Sequence, residues 1–225
     1  MSFMAAVTLP DDGPLRTAGE LDGVETVVPQ ITVDEYAELL RRAGIDAEPG
    51  WELLDGFIRR IEKGASGDEG GSVNPLHIEA IERLTDLRSR FLPFGCFLRV
   101  EKPLKFSETS APFPDAAVLR GSRESCQGQI PTSDEAIVVI EAADASLSDD
   151  MNKRLRRYAF AGIPMYVVLR LRRRDAVVLT RPIGEGYAER RELGVGEVLS
   201  LPTAVEGVTV DILLADLLPP AGAIG

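Results

Sequence analysis

The sequence predicts an α/β protein with a mixed central sheet flanked by helices and a C-terminal β-meander. Three observations carry that reading. The run Ile137-Val138-Val139-Ile140 is apolar at every position, as in a central strand buried on both faces. Stretches beginning near Thr32, Pro75 and Ser148 repeat apolar residues at helical spacing. From Asp175 to Val210, short strand-like runs are broken by Gly184-Glu185-Gly186 and Gly194-Val195-Gly196, which read as turns.

In chain order, residues 1–30 scatter Pro10, Gly13, Pro14, Gly19, Gly23 and Pro29 without a sustained period, and read as an irregular N-terminal extension. The main domain is expected over 31–219, with a tail at 220–225. Thr32 and Glu35 form a capping box, and Val33, Tyr36, Leu39, Leu40 and Ala43 make one helical stripe that Gly44 should end. Asp55-Gly56, between Trp51–Leu54 and Phe57–Ile61, predicts a hairpin. A Gly- and Ser-containing loop follows, Gly64 to Ser72. Asn74-Pro75 then caps a helix to about Phe91, with Ala80, Ile81, Leu84, Leu87 and Phe91 facing the core. Strands are expected at 96–100, 103–106, 115–119, 136–141 and 165–171, with a helix from about Ser148 to Ala161 and a short one near 213–218.

The 225 residues are 44% hydrophobic, enough to bury one sizeable core. No apolar run reaches the roughly 18 residues of a membrane span. The segment from Met1 to Pro10 carries no basic region and reads as no signal peptide. Cys96 and Cys126 are far apart, with no metal-binding spacing, so a reduced cytoplasm is the expected compartment. His77 is the single histidine, which excludes His-rich metal sites and most His-dependent triads. A net charge of −11 weighs against a surface that grips nucleic acid all over, though it leaves room for a local basic groove.

The informative residues are acids at the ends of apolar strands. Asp115 opens Ala116–Leu119, and Glu141 closes Ile137–Ile140. A carboxylate beside a buried strand is costly unless paired or bound to a cation. Two of them together repel, and a hard divalent ion such as Mg²⁺ or Mn²⁺ resolves the repulsion while activating a bound water. The plainer reading makes each a solvated strand end. His77 is a site-lining candidate or an ordinary helix residue. Arg170, Arg172, Arg173 and Arg174 form the most basic stretch; alternation with Leu169 and Leu171 suggests a strand with one wet face, or a phosphate-contacting patch.

The segments ITVDEYAELL, WELLDGFI, HIEAIERL, FPDAAVL, VVIEAADASLSDD, YAFAGIPMYVVL and VEGVTVDILLADLL stand in one order from Thr32 to about Leu218. In that order the chain resembles the bacterial putative restriction endonuclease family, a domain of unknown function within the restriction-endonuclease-like PD-(D/E)XK superfamily. The resemblance implies that fold and a site of Glu52, Asp115 and Glu141 as metal ligands, with a lysine on the following helix. Ala143 occupies the usual lysine position two residues after the acid. Ungapped spacing instead puts Arg154 at the helix position, with Lys153 beside it. On a wheel of about 100° per residue, Met151, Leu155, Tyr158 and Ala159 mark the buried face, Arg154 lies on its flank and Lys153 nearly opposite. Arginine can neutralise phosphate but cannot act as a base. Both cations also pair at i,i+4 with Asp149 and Asp150, so a solvated helix face is the alternative. Asp144 and Ser146 either brace the site or cap the helix.

Two functions follow. One is a metal-dependent endonuclease hydrolysing DNA, with Asp115 and Glu141 binding metal and Lys153 or Arg154 stabilising the reacting phosphate. The other is a degenerate nuclease fold that acts as a binding or regulatory module. The partners admitted are DNA and a second copy of the chain, with no membrane.

Overall fold

The computed structural model describes residues 15–21, 24–42, 51–60, 74–126, 129–143 and 149–223. The expected cap at Gly44, the loop Gly64 to Ser72, and Asp144 and Ser146 lie outside them. The chain begins with β1 (Leu15–Leu21) and β2 (Val24–Pro29), an antiparallel ribbon with an irregularity between Thr17 and Glu20. Within the extension read as irregular over 1–30, these two segments are strands, and residues 1–14 lie outside the described residues. The run Glu25-Thr26-Val27-Val28 is rich in β-branched residues, and Asp22-Gly23 is the hairpin dipeptide also present at 55–56.

Helix α1 (Val33–Arg42) is capped as its sequence requires. Glu35 N donates to Thr32 Oγ1 at 3.2 Å, and Thr32 N donates to a Glu35 carboxylate oxygen at 2.7 Å. Its buried Val33 and Tyr36 pack with Leu53, Ala111 and Phe113. Strands β3 (Trp51–Leu54) and β4 (Phe57–Arg60) form the hairpin turned by Asp55-Gly56. Both turn residues have positive φ, 54° and 81°. Gly56 also accepts from Ile31 N at 3.0 Å and donates to Thr109 O at 2.7 Å. A Cβ there would stand 2.5 Å from Gln30 Cβ and 3.1 Å from Gln30 Cα. Gly56→Ala is therefore expected to cost about 2–3 kcal/mol by urea denaturation, the sum of left-handed strain and a displaced backbone contact.

Helix α2 (Pro75–Asp86) starts at Asn74, whose side chain accepts from Leu76 N at 2.9 Å. The expected continuous helix to Phe91 is broken at Leu87, and the short α3 (Arg88–Phe91) follows. Thr85 Oγ1 donates back to Ile81 O at 2.9 Å, a bond that bends helices, and Leu87 N tightens onto Leu84 O.

The central sheet comprises β5 (Cys96–Val100), β6 (Ala116–Arg120), β7 (Ala136–Ala143), β8 (Met165–Arg170), β9 (Asp175–Ile183) and β10 (Gly186–Gly194), with α4 (Asp149–Phe160) between β7 and β8. Its order is β10-β9-β8-β7-β6-β5. The β7–β8 pair is parallel and the others antiparallel, so the sheet is mixed. A parallel pair needs a long crossover, which α4 supplies. The strand expected at 103–106 is a loop. Pro103 lacks a donor, and the next N–H groups go to Pro112 O, Pro131 O and Ser110 O instead of a ladder. The expected β-meander divides. Its first two strands extend the sheet, while β11 (Val198–Pro202) and β12 (Thr209–Leu213) form a separate antiparallel ribbon, and Leu214–Leu217 is a 3₁₀ turn.

Alternation along β7 sorts two cores. Val138 and Ile140 join α2 residues Leu76, Ala80 and Leu84 and ribbon residues Leu199, Leu201, Val210 and Ile212 on one face. Val139 joins Tyr158, Ile163 and Tyr166 on the other. Each fully buried aliphatic contributes about 1.5–3 kcal/mol. Strand β8 is buried at all six positions, so the expected wet face is absent. Arg170 survives there through a bidentate pair with Asp175, at 2.6 and 2.8 Å, and a bond to Glu192 at 2.8 Å. Arg173 closes on Asp175 as well, at 3.2 Å. Two of the four arginines of the basic stretch, Arg170 and Arg173, are thus engaged in ion pairs. Cys96 and Cys126 are free thiols. Among the described residues no helix is long and apolar enough to cross a membrane.

Candidate active site

Antiparallel pairing of β6 with β7 ends at Ala116 opposite Ile140, and Asp115 and Glu141 are the residues next to that last pair. Both are buried, at 3% and 5% exposure. Asp115 Oδ2 accepts a hydrogen bond from Ala142 N at 2.8 Å, a fixed backbone donor that orients the carboxylate. Asp115 Oδ1 lies 3.7 Å from His77 Nε2.

Glu141 points to the α4 face. Arg154 Nη1 donates to Glu141 Oε1 at 2.9 Å, and the Tyr158 hydroxyl donates to the same oxygen. Residues 154 and 158 are one turn apart on α4, so the helix presents both to one carboxylate. The pair is enclosed, with side-chain exposures of 17% for Arg154 and 6% for Glu141. Glu141 above all, then Tyr158, Glu52 and Asp115, hold the Arg154 guanidinium charged far above its ordinary range against the opposing effect of burial. Glu141, among the acids picked out from sequence, is bonded directly to this guanidinium. Burial, reinforced by Glu141, pushes the Tyr158 phenol well up, so it remains a proton donor. Glu52, on β3, is buried at 8% exposure. The nearby Tyr36 hydroxyl donates to Trp51 O at 2.9 Å, and burial together with Glu52 pushes its pKa up to about 12.

A further acid belongs to the site. Glu101 follows the apolar run of β5 and has a positive φ of 50°, rare for a residue with a side chain. Its N–H donates to Asp115 O at 2.9 Å, which ties the two acids together through the backbone. Single ligand atoms of His77, Glu101 and Asp115 all lie within 4.8 Å of one another. His77, 9% exposed, has Nδ1 3.2 Å from Ala142 O; its buried Nε2 has no hydrogen-bond partner among the described residues. A nitrogen and two carboxylates at this spacing, with a buried ring nitrogen turned toward them, suit a divalent cation. Sequence reading placed His77 at the site but passed over Glu101. The available signal was the one used for Asp115 and Glu141, a carboxylate abutting an apolar strand.

Lys153 is exposed, and it is Arg154, on the flank of the helix that the wheel turns toward the sheet, that bonds Glu141. Leu155, Tyr158 and Ala159 face the sheet. Beside β5, a cavity of about 440 Å³ is lined by Arg88, Arg99, Lys102 and Arg123 together with Phe97 and Cys126. It is a local basic surface on an acidic protein.

Comparison with known proteins agrees with this architecture. The family model described as Uma2, putative restriction endonuclease, matches residues 33–215. Among solved structures, the chain resembles a crystal structure described as a putative nuclease belonging to DUF820 from Anabaena variabilis. The sequences are 20% identical and the TM-score is 0.55, over 83% of this chain and 97% of that one. No curated protein matches the chain significantly.

Proposed function

The chain belongs to the Uma2 putative restriction endonuclease family, and we propose that it hydrolyses phosphodiester bonds in DNA with a divalent metal ion, Mg²⁺ or Mn²⁺, in the cytoplasm. The observation that supports this reading is the burial of Asp115 and Glu141 near the adjoining ends of β6 and β7, with Glu141 bonded to Arg154 at 2.9 Å. Asp115 and Glu141 would hold the ion, with Glu52 nearby. The ion would supply charge neutralisation at the phosphate and a water acidic enough to attack phosphorus. Arg154, which cannot give up its proton, serves as an electrostatic clamp for the charge that builds on the phosphate oxygens. Tyr158 keeps Glu141 and Arg154 in register. The decisive experiment incubates plasmid DNA with the purified protein in Mg²⁺ or Mn²⁺ and, separately, in EDTA. Nicking or linearisation confined to the metal samples is expected; equal cleavage in EDTA would refute the assignment.

A second reading has one observation in its favour. Glu141 Oε1 already accepts from two side chains, and the helix cation is arginine, so a module that binds DNA without cutting it is also consistent with the geometry. In either case the cavity beside β5 is the surface proposed to meet phosphates, because Lys102 directly follows Glu101 and Arg123 joins it there. Lys102→Ala and Arg123→Ala are each expected to weaken DNA binding across all sequences. Each should also make the slope of log K against log salt shallower by about 0.9. An unchanged slope would move the phosphate contacts elsewhere.

A further inference from the structure

We infer that His77 Nε2 and Glu101 join Asp115 as ligands of the ion proposed above, and that the chain therefore selects a transition metal in preference to Mg²⁺. The inference rests on reading the site as a divalent-metal centre, and it names the ligands and the class of ion.

The argument begins with the histidine ring. Nδ1 is 3.2 Å from Ala142 O, and a carbonyl oxygen can only accept, so Nδ1 carries the hydrogen. In the neutral ring, Nε2 then presents a lone pair. That atom is buried and has no hydrogen-bond partner among the described residues. The neighbouring Asp115 Oδ1, at 3.7 Å, is too distant for a hydrogen bond. The spacing instead approaches that of two ligands around one ion with bonds of roughly 2.0–2.2 Å. A carboxylate oxygen of Glu101 completes a trio within 4.8 Å.

The support for these ligands is also built in. Ala142, next to Glu141 on β7, holds two of them at once. Its carbonyl faces His77 Nδ1, and its N–H donates to Asp115 Oδ2. Metal-binding imidazoles characteristically rest their second nitrogen on such a carbonyl, which fixes both ring orientation and tautomer. Glu101 is held by its own N–H bond to Asp115 O, in the left-handed conformation. Strain of that kind concentrates at functional sites.

The donor set decides the ion. Mg²⁺ takes oxygen ligands and keeps its water, whereas an imidazole nitrogen suits Mn²⁺, Co²⁺, Ni²⁺ and Zn²⁺. The sequence has a single histidine, so its position is a sharp test.

The test measures binding to metal-free protein without DNA. Co²⁺ is followed by its visible absorption, and Mn²⁺ and Mg²⁺ by calorimetry. Mn²⁺ and Co²⁺ are expected to bind at least about 10-fold more tightly than Mg²⁺. His77→Gln should weaken Co²⁺ and Mn²⁺ by about 10–100-fold or more with little change for Mg²⁺, whereas Glu101→Gln, which removes a charged oxygen ligand, should weaken all three. Circular dichroism of the metal-free variants checks folding. If His77→Gln does not fold, Glu101→Gln, at a partly exposed position, carries the result. The inference is overturned if wild-type protein does not prefer Mn²⁺ or Co²⁺ to Mg²⁺. It is equally overturned if the two substitutions leave Co²⁺ affinity unchanged, which would make His77 and Asp115 a plain ion pair. His77-dependent Co²⁺ binding without any DNA cleavage would uphold the inference and reject the nuclease assignment. Cleavage with Glu141-dependent, His77-independent binding would do the reverse.

Discussion

Asp115→Asn is expected to reduce metal-dependent DNA hydrolysis by several orders of magnitude while leaving the fold intact. The amide has the same shape, and its oxygen can still accept from Ala142 N, a bond of 2.8 Å with the carboxylate. What it loses is the charge that holds a cation. Metal activation supplies several kcal/mol of barrier reduction, and each 1.36 kcal/mol is about tenfold in rate. Asp115 is a cleaner target than Glu141. Glu141→Gln takes the charge from the buried half of its pair with the partly enclosed Arg154, and breaking such a pair costs about 3–5 kcal/mol, so lost activity would be mixed with lost stability. The measurement is a single-turnover cleavage rate in saturating Mn²⁺, with thermal midpoints alongside. Equal rates for wild-type and Asp115→Asn protein would mean that the activity is a contaminant, and the binding-module reading would then take over.

The parts of the fold legible in the sequence were those in which local chemistry and long-range packing agree. The continuously apolar Ile137–Ile140 is central because both of its faces are covered, by α2 on one side and α4 on the other. The Thr32–Glu35 box and Asn74-Pro75 start helices for reasons internal to each segment. The misses share a different cause. Leu169-Arg170-Leu171 alternates like a half-wet strand, yet Arg170 is buried, because Asp175 and Glu192 arrive from neighbouring strands to neutralise it. Nothing within five residues of Arg170, other than Asp175 itself, announces that arrangement. The ribbon at 15–29 was obscured by its prolines and glycines, although Asp22-Gly23 carried the signal.

The site was legible to a similar extent. Asp115 and Glu141 could be chosen because a strand end is visible in sequence; the structure buries both, next to the last paired residues, Ala116 and Ile140. Glu101 has the same signal but depends on the loop 101–115 folding back, so that its N–H meets Asp115 O. His77 reaches the group from α2, on the opposite side of the sheet from Arg154, and no spacing rule links position 77 to positions 101 and 115. The acids are therefore approached from both faces of the sheet: by a ring nitrogen from one and a guanidinium from the other.

That two-sided arrangement separates the helix cations. Arg154→Ala is expected to slow hydrolysis by about 10²–10³-fold, the usual consequence of removing one preorganised donor from a developing charge. It should also lower stability by about 3–5 kcal/mol, because Glu141 stays buried without its cation. Lys153→Ala, on the exposed side of the same helix turn, should shift stability by no more than about 0.5 kcal/mol and leave the rate unaltered. Arg154→Lys distinguishes charge from shape. An ammonium keeps the charge but lacks the planar fork that spans Glu141 and a phosphate together, so most of the stability should return and little of the rate. The pairing itself is measured by a double-mutant cycle of Glu141→Gln and Arg154→Ala under urea, in which strongly non-additive losses are expected. A variant set in which Lys153→Ala cripples cleavage and Arg154→Ala does not would show that α4 rearranges on binding DNA to bring Lys153 inward. Arg154 would then be a structural counter-ion for Glu141 and not the clamp on the phosphate.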